Sequence, residues 1–250
     1  MVPFVQFIRI ELIMVDNEQI KIEATFDSFV RSIGGVVLKD QVGCSPTFEN
    51  ADYIFHAQRI VAELKCLEDN KLDDPVYMGK IDALWQKWRK FGLVKGDTPE
   101  RILLNELPQQ CARELVSVAS RPLQRIIEKA NRQIRQTKET LNLPSYKGLL
   151  LLANDGNYAN PPPTLNQLIG GVLSKGFTSI DCYVLFTVNV TAQVPGIDIP
   201  CTLWMPSFRS EADSISPDVM ASLRDDWTLF QEQITGQKRK RFGDVIPTPI

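Results

Sequence analysis

The segment from Tyr146 to Asn154 constrains the fold of this chain more than any other. It reads YKGLLLLAN, and an uninterrupted apolar run of this kind is typical of a central strand that is covered on both faces of a sheet. A second strong apolar run, SIDCYVLFTVNV, follows it, and the intervening TLNQLIGGVLSKG has the apolar spacing of a helix. Strands that are joined through helices generally pair in parallel, so these segments predict a layered α/β domain.

The N-terminal part predicts antiparallel pairing in addition. Residues 4–14 and 19–24 alternate loosely between apolar and polar side chains, as two strands do. Residues 25–37 have helical spacing, and residues 39–50 have the composition of a loop. The runs ADYIF and RIVAELKCLE then stand about four residues apart, which is the spacing of a β-hairpin. The central sheet is therefore predicted to be mixed.

Residues 70–118 predict a helical insertion within a single domain that spans residues 1–250. In this insertion Trp85 and Trp88 lie at helical spacing, and we expect them in its core rather than on a base-stacking surface. A long helix is expected to begin at Pro122, a residue favoured in the first helical turn, and to end near Leu141. Residues 236–250 are basic, and we expect a mobile tail there.

One face of this long helix is basic. Its cations are Arg121, Arg125, Lys129, Arg132 and Arg135. Such a face can follow the phosphates of a nucleic acid and provide affinity without sequence choice. An ordinary solvated helix face has the same composition, and the sequence leaves both interpretations open. The net charge of −2 excludes a broadly basic coat but not a local basic groove.

Histidine is almost absent, which excludes several classes of enzyme. His56 is the only histidine in 250 residues, so zinc sites with histidine ligands and histidine-based nucleases are nearly eliminated. The chain also has neither a dinucleotide-binding glycine motif nor a P-loop. An enzyme built on this chain would have to use carboxylates and lysines.

The cysteines and the hydropathy indicate a compartment. The five cysteines are scattered and form no CxxC pair, which favours reduced thiols in a cytoplasm. No apolar run reaches the ~20 residues that span a bilayer, so we expect no membrane partner.

Three charged residues interrupt the predicted hairpin, where an unpaired charge is costly. Glu63 and Lys65 share one face of their strand, and a hairpin register can bring Asp52 beside Glu63. The Asp52 and Glu63 carboxylates, with the Leu64 carbonyl, could bind Mg²⁺ or Mn²⁺, because such ions prefer hard oxygen ligands. Such an ion lowers the pKa of a bound water, and Lys65 could orient or deprotonate that water. The set suits phosphodiester hydrolysis.

At this point the hairpin resembles a known family. ADYIF followed by AELK looks like the Asp…Glu-X-Lys signature of the PD-(D/E)XK nuclease superfamily. That resemblance implies a restriction-endonuclease-like αβββαβ core with a mixed central sheet. The matching segments are the helix at 25–37, strands around 42–68, the helix at 122–141 and the strand at 147–153. The proline that often precedes the aspartate in this family is replaced by Ala51.

The resemblance also implies roles for individual residues. Asp52 and Glu63 would be metal ligands and Lys65 the catalytic lysine. Family members often add an acid on the first helix, for which Glu23 is the candidate. They also often add a polar residue on the later helix, for which Gln124 or Lys129 is the candidate.

The function that the resemblance implies is Mg²⁺-dependent hydrolysis of nucleic acid, DNA rather than RNA, in bacterial repair, restriction or defence. Many members act as homodimers. Two alternatives stay open: a catalytically inactive module of the same fold that binds nucleic acid or a protein, and a structural or interaction protein with an unrelated α/β fold. The three charged residues could also form a purely structural ion pair, in which Lys65 would join Glu63 or Asp52 and hold the strands in register.

Overall fold

The structure is a computed structural model, and it describes residues 11–14, 20–42, 49–68, 74–99, 102, 104–155, 161–193, 201–209, 215–236, 238 and 240–241. The helices of this part are α1 (Ile22–Ser32), α2 (Leu38–Val42), α3 (Pro75–Lys90), α4 (Gln109–Thr140), α5 (Pro162–Leu173) and α6 (Pro217–Thr235). Its strands are β1 (Glu11–Met14), β2 (Val36–Val37), β3 (Tyr53–Phe55), β4 (Ile60–Leu67), β5 (Lys147–Asn154), β6 (Cys182–Thr187), β7 (Val190–Gln193), β8 (Cys201–Thr202), β9 (Trp204–Phe208) and β10 (Lys240–Arg241).

A mixed six-stranded sheet forms the centre of the molecule, in the order β2-β3-β4-β5-β6-β9. Strand β3 is antiparallel to both of its neighbours, β4 to β6 are mutually parallel, and β9 is antiparallel to β6. The apolar run that predicted a central strand is β5, and it is buried from Gly148 to Asn154. The predicted α/β class with a mixed sheet is therefore confirmed.

Helices cover both faces of this sheet. On one face α4 and α5 pack against the sheet through apolar side chains that include Ile127 and Ile169. On the other face α1 and α6 contribute an aromatic cluster around Phe26, Phe29 and Trp227. The alternation of side chains along β4 feeds both layers, because Val61 belongs to the first cluster and Ala62, Leu64 to the second.

The strand expected at residues 19–24 is wrong where the structure describes it, because α1 already begins at Ile22. Ile22 is buried in the same cluster as Phe26, one turn later, so tertiary packing extends the helix. Within residues 25–37, Gly34 and Gly35 predict the end of the helix, and α1 ends just before them, at Ser32. Val36–Val37 form β2. Gly34 has a φ of 76°, a conformation that glycine adopts without strain and that turns the chain into β2. Part of the predicted loop at 39–50 is helix α2.

The helix expected to begin at Pro122 begins at Gln109 instead, so Pro122 lies inside one continuous helix of 32 residues, α4. Pro122 removes one backbone donor, but the buried stripe continues past it through Leu123 and Ile127. The predicted insertion at 70–118 therefore contains α3 and the first turns of α4. Its tryptophans are in a buried cluster with Cys111, as predicted.

The single strand expected at SIDCYVLFTVNV is divided at Val188 and Asn189, where the Asn189 side chain bonds the backbone of Ile20. The second part, β7, joins a smaller sheet in the order β1-β7-β8-β10. Strand β10 pairs in parallel with β8, so Lys240–Arg241 are part of this sheet. The rest of the predicted mobile tail, apart from Gly236 and Lys238, lies outside the described residues.

Within the described ranges, none of the helices is long and apolar enough to cross a membrane.

Candidate active site

The β3–β4 hairpin places Asp52 and Glu63 opposite each other. Tyr53 pairs with Ala62, and the Asp52 N–H donates to the Ala62 carbonyl oxygen at 3.2 Å, one step before β3 begins. By alternation, Asp52 shares a face with Ile54, and Glu63 shares a face with Val61. Since Ile54 and Val61 both pack in the cluster beneath α4, both carboxyl groups project towards that layer. The structure thus supports the register that the sequence suggested.

Asp52 is fixed by the edge of β4. Strand β4 continues beyond the start of β3, and the Asp52 Oδ2 accepts the Leu64 N–H at 2.8 Å in place of a strand partner. The N–H and C=O groups of one residue point to the same side of an extended strand, so the Leu64 carbonyl lies at this edge as well. The Leu64 carbonyl is therefore on the same side of β4 as the N–H that the Asp52 carboxylate accepts.

Glu63 is fully buried, with an exposed fraction of 0%. Its Oε1 contacts the Lys65 ammonium, and its Oε2 has no hydrogen-bond partner among the described residues. Burial is the main cause that raises the pKa of Glu63 to about 8, and the Asp52 charge is the next. The positive charge of Lys65 partly opposes this rise. Burial also raises the pKa of Asp52, opposed by the Leu64 N–H and by Lys65. The two carboxyl groups form one coupled pair.

The unpaired Oε2 of Glu63 indicates what this pair requires. Two carboxylates in contact repel each other, and a shared proton removes one charge and gives the second oxygen a partner. A divalent cation between the carboxyl groups of Asp52 and Glu63 would do the same, with the Leu64 carbonyl as a third oxygen. This donor set fits Mg²⁺, which commonly keeps several waters and only one or two protein carboxylates. No group of three histidine, cysteine, aspartate or glutamate side chains within the described part of the chain is arranged to hold a metal.

Lys65 stands between the buried pair and the surface. Its side chain is 20% exposed, while its ammonium contacts Glu63. The resulting ion pair is also the arrangement that the structural alternative requires. The structure thus brings Asp52, Glu63, Lys65 and the Leu64 backbone together, and it buries Glu63 more deeply than an open catalytic site.

Helix α4 supplies two side chains that sequence reasoning missed. Thr137 Oγ1 accepts the Ala51 N–H at 2.7 Å, and Gln133 Nε2 donates to the Asn50 carbonyl at 2.9 Å. Both contacts hold the chain immediately before Asp52. Gln133 and Thr137 are four residues apart and buried beside the apolar stripe, so two polar residues within the buried face of an amphipathic helix were the available signal.

The suggested polar partner on the later helix is not Gln124. Its Nε2 donates to Glu128 Oε1 at 2.8 Å on the exposed side of α4. Lys129 is exposed. The hydrogen bond from Arg132 is the main cause that lowers the pKa of Glu49, and the charges of Lys129 and Lys65 lower it further. Gln133 and Thr137 are the polar residues that α4 directs to the chain before the hairpin.

Helix α1 contributes a further acid and an anchor. Glu23 is exposed in its first turn, and its charge raises the pKa of Asp52, although burial is the main cause. One turn later, buried Asp27 accepts the Tyr53 hydroxyl at 3.1 Å and pairs with Lys39. These contacts fix α1 to β3 and keep Glu23 near the carboxyl pair.

The five predicted phosphate-binding cations are all exposed on α4: Arg121, Arg125, Lys129, Arg132 and Arg135. Arg132 holds Glu49 in a two-pronged ion pair at 2.6 and 3.3 Å, and Arg135 lies 4.0 Å from Glu139. The other three form no ion pair with a described acid. The face is therefore less uniformly positive than the helix sequence alone indicated, because Glu49 comes from another element.

Comparisons with known proteins add no family to this geometry: no protein-family model matches the chain, and no curated protein or solved structure matches it significantly.

Proposed function

We propose that this protein is a divalent-metal-dependent nuclease with a restriction-endonuclease-like core. This is supported by the element order, because α1, β2, β3, β4, α4 and β5 follow one another as helix, three strands, helix and strand once α2 and α3 are set aside. The proposed core strands are adjacent in the sheet, in the order β2-β3-β4-β5. Helix α3 and the start of α4 account for the additional helical residues.

The observation that carries this proposal is the convergence of two carboxyl groups and one ammonium on the α4 side of β4. Asp52 and Glu63 would hold Mg²⁺ or Mn²⁺ together with the Leu64 carbonyl. The bound ion supplies a water of lowered pKa and offsets charge on the phosphate. The protein holds the ligands rigidly, because Asp52 accepts the Leu64 N–H and the residues before it are bonded to α4.

Lys65 acts at the phosphate. Its ammonium is adjacent to Glu63 and partly exposed, so it can orient the attacking water or offset the charge that develops on the phosphate oxygens. A cation is required in this position, because phosphoryl transfer depends on electrostatic stabilisation of the transition state.

The substrate we propose is nucleic acid, DNA in the first instance. Arg121, Arg125 and Lys129 form an exposed line along α4, and they can contact backbone phosphates without reading bases. The hairpin lies at the same helix, since Thr137 and Gln133 contact it. A nucleic-acid backbone bound along α4 would therefore lie close to the Asp52 and Glu63 carboxyl groups.

Cleavage of supercoiled plasmid and of labelled oligonucleotides tests the proposal. We expect cutting with Mg²⁺ or Mn²⁺, none after chelation, and a loss of at least about 100-fold in Lys65→Ala with binding retained. Lys175→Ala, an exposed lysine after α5, is the control and should cut like the wild type. Absence of cutting by the wild type with both ions, or unchanged cutting by Lys65→Ala, would contradict the proposal.

The burial of Glu63 favours a second candidate, a catalytically inactive module that binds nucleic acid. In that case the Lys65–Glu63 ion pair has a structural role and no ion needs access to it. This candidate predicts salt-sensitive binding of DNA that neither Mg²⁺ nor chelator alters, and no cleavage.

A further inference from the structure

A small cavity of ≈ 10 Å³ lies between β9 and α6, on the sheet face away from α4. Four residues of α6 line it, namely Arg224, Trp227, Thr228 and Gln231. The remaining lining residues are Thr187, Thr202, Leu203 and Trp204. None of these residues belongs to the proposed nuclease site. The cavity lies where the edge strand of the central sheet, β9, meets α6.

Three N–H donors of this lining are unsatisfied. Trp204 Nε1, Trp227 Nε1 and Gln231 Nε2 are buried from solvent and have no hydrogen-bond partner in the described part of the chain. Trp227 is 2% exposed and Gln231 is 1% exposed, so solvent cannot reach them. Burial of a polar group without a partner is unfavourable, and native proteins rarely tolerate it. Three such donors around one cavity therefore indicate a shared acceptor.

The chemistry of the three donors restricts that acceptor. An indole N–H is a donor only, and the unpaired atom of Gln231 is its amide nitrogen. A water molecule accepts two hydrogen bonds, one fewer than the three donors require, whereas a monoatomic anion can accept all three. Arg224 lines the same cavity, and its Nε pairs with Asp225 Oδ1 at 3.0 Å. The volume suits one particle of about the size of a water molecule and excludes phosphate or sulfate.

We propose that this cavity is a halide site that binds one chloride ion between β9 and α6. Trp204, Trp227 and Gln231 donate to the ion, and the Arg224 guanidinium contributes positive charge. The ion links the helix to the sheet edge and stabilises the folded chain, since the unfolded chain does not present the three donors together.

Thermal unfolding at constant ionic strength tests the site. Replacing sodium gluconate by sodium chloride should raise the Tm by about 3–6 °C once chloride is tenfold above its Kd. Bromide should act like chloride, whereas the general stabilisation by sulfate, which is excluded from protein surfaces, should be equal in the wild type and in Gln231→Leu. Gln231→Leu removes one donor at similar volume and should lose most of the response. Gln233→Leu, on an exposed position of the same helix, should keep it.

A bromide-soaked crystal of the wild type provides a measurement that does not depend on a variant. We expect an anomalous peak within hydrogen-bond distance of the two indole nitrogens and Gln231 Nε2. A Tm that is equal in chloride and gluconate, or an ordinary water in the cavity, would overturn the proposal. So would a Gln231 amide that turns its oxygen to the indole N–H groups. DNA cleavage plays no part in either measurement, so the two proposals succeed or fail separately.

Discussion

Glu63 carries more of the chemistry of this molecule than any other residue. Its Oε1 contacts Lys65, its Oε2 is unpaired within the described chain, and its neighbour Asp52 is a second acid. Ionisation of a buried carboxyl group that is neutral near pH 7 costs the folded state free energy, because burial disfavours the charged form. That cost can be offset by a metal ion, but in the absence of metal it reduces stability at high pH.

Glu63→Gln should flatten the pH dependence of stability in chelator. Burial raises the pKa of Glu63 from 4.5 to about 8, so the folded state keeps a proton that the unfolded state releases between these values. The contribution of this group to the free energy of unfolding is complete below pH 4.5 and is lost as the pH rises through 8. We expect the variant to exceed the wild type by about 4 kcal/mol at pH 8.5 and by almost nothing at pH 4.5.

Urea denaturation at the two pH values measures this difference. Glu68→Gln, which replaces an exposed acid directly after β4, is the control and should follow the wild-type profile. A wild-type stability that does not fall between pH 5 and 8.5 would show that Glu63 is ionised throughout.

The proximity of Asp52 and Glu63 could be predicted, because alternation and hairpin spacing together determine which side chains face each other. The depth of Glu63 could not. It depends on α4, whose contacts at Thr137 and Gln133 come from about seventy residues further along the chain. A sequence pattern shows which face a side chain takes, but not how much of that face another element covers.

At the scale of elements, α4 is the wall of the candidate site. It packs on β4 and β5 through its apolar stripe and bonds the backbone before Asp52 through Thr137 and Gln133. The N–H of Ala51 is buried, and Thr137 Oγ1 is its acceptor. Position 137 therefore affects both stability and the placement of Asp52.

Thr137→Val should destabilise the protein by about 1–3 kcal/mol, because it leaves the buried Ala51 N–H without an acceptor at almost unchanged volume. Thr140→Val, at the exposed end of the same helix, should cost less than about 0.5 kcal/mol. Chemical denaturation compares the two. If the nuclease proposal holds, Thr137→Val should also reduce the rate of cleavage when the protein is still folded, and equal stabilities of the two variants would contradict this role of Thr137.

Gly148 in β5 permits the close approach of a neighbouring segment. A Cβ at this position would lie 1.8 Å from the Ser179 carbonyl oxygen and 2.9 Å from Ile134 Cγ2. Gly148→Ala should therefore destabilise the fold by at least about 3 kcal/mol. Gly171→Ala on α5 is the matched control: its Cβ meets nothing within 4 Å, and alanine should stabilise the helix by about 0.5–1 kcal/mol. Thermal unfolding of the pair should give opposite signs, and the same sign would contradict the clash.

Elements with strong local patterns were predictable, and those decided by tertiary contacts were not. The apolar run of β5 and the spacing of α6 can be recognised from sequence alone. The break expected at Pro122 was wrong, because a long buried stripe outweighs the loss of one backbone hydrogen bond. Strand β2 has only two residues, and it exists because β3 pairs with it.

For the molecule as a whole, the proposed nucleic-acid function makes a prediction about salt: if DNA follows the exposed basic line on α4, its binding should weaken with salt in proportion to the phosphates contacted. Each phosphate contact that a cation makes adds about −0.9 to the slope of log K against log salt concentration. Changing Arg121, Arg125 and Lys129 together to glutamine should reduce the magnitude of that slope by about 2–3. The measurement is fluorescence anisotropy with duplex DNA at several salt concentrations.

The control for this experiment changes three exposed lysines on other elements, namely Lys80, Lys175 and Lys238. With all three changed to glutamine, this control loses the same three positive charges as the α4 variant, and it should leave the slope nearly unchanged. Equal slopes for both triple variants would mean that α4 has no special role in binding and that only total charge matters.

The second sheet shows the limit of sequence reasoning at this scale. Its outer strand β1 pairs Glu11 with Gln193, and no local pattern connects positions that far apart. The single domain over residues 1–250 stays a prediction. Within the described residues, the central sheet connects the hairpin with segments as far along the chain as Phe208.

The continuity of α4 has a consequence for how this protein could have changed over time. The helix is about 48 Å long at 1.5 Å per residue. The Trp85–Trp88 cluster packs on its first turns, and the residues that hold Asp52 lie in its last turns. Removal of residues 70–118 would cut through this rod and uncover its apolar side. Residues 70–118 therefore cannot be deleted or replaced independently, because any such change also alters the helix that holds the chain before Asp52.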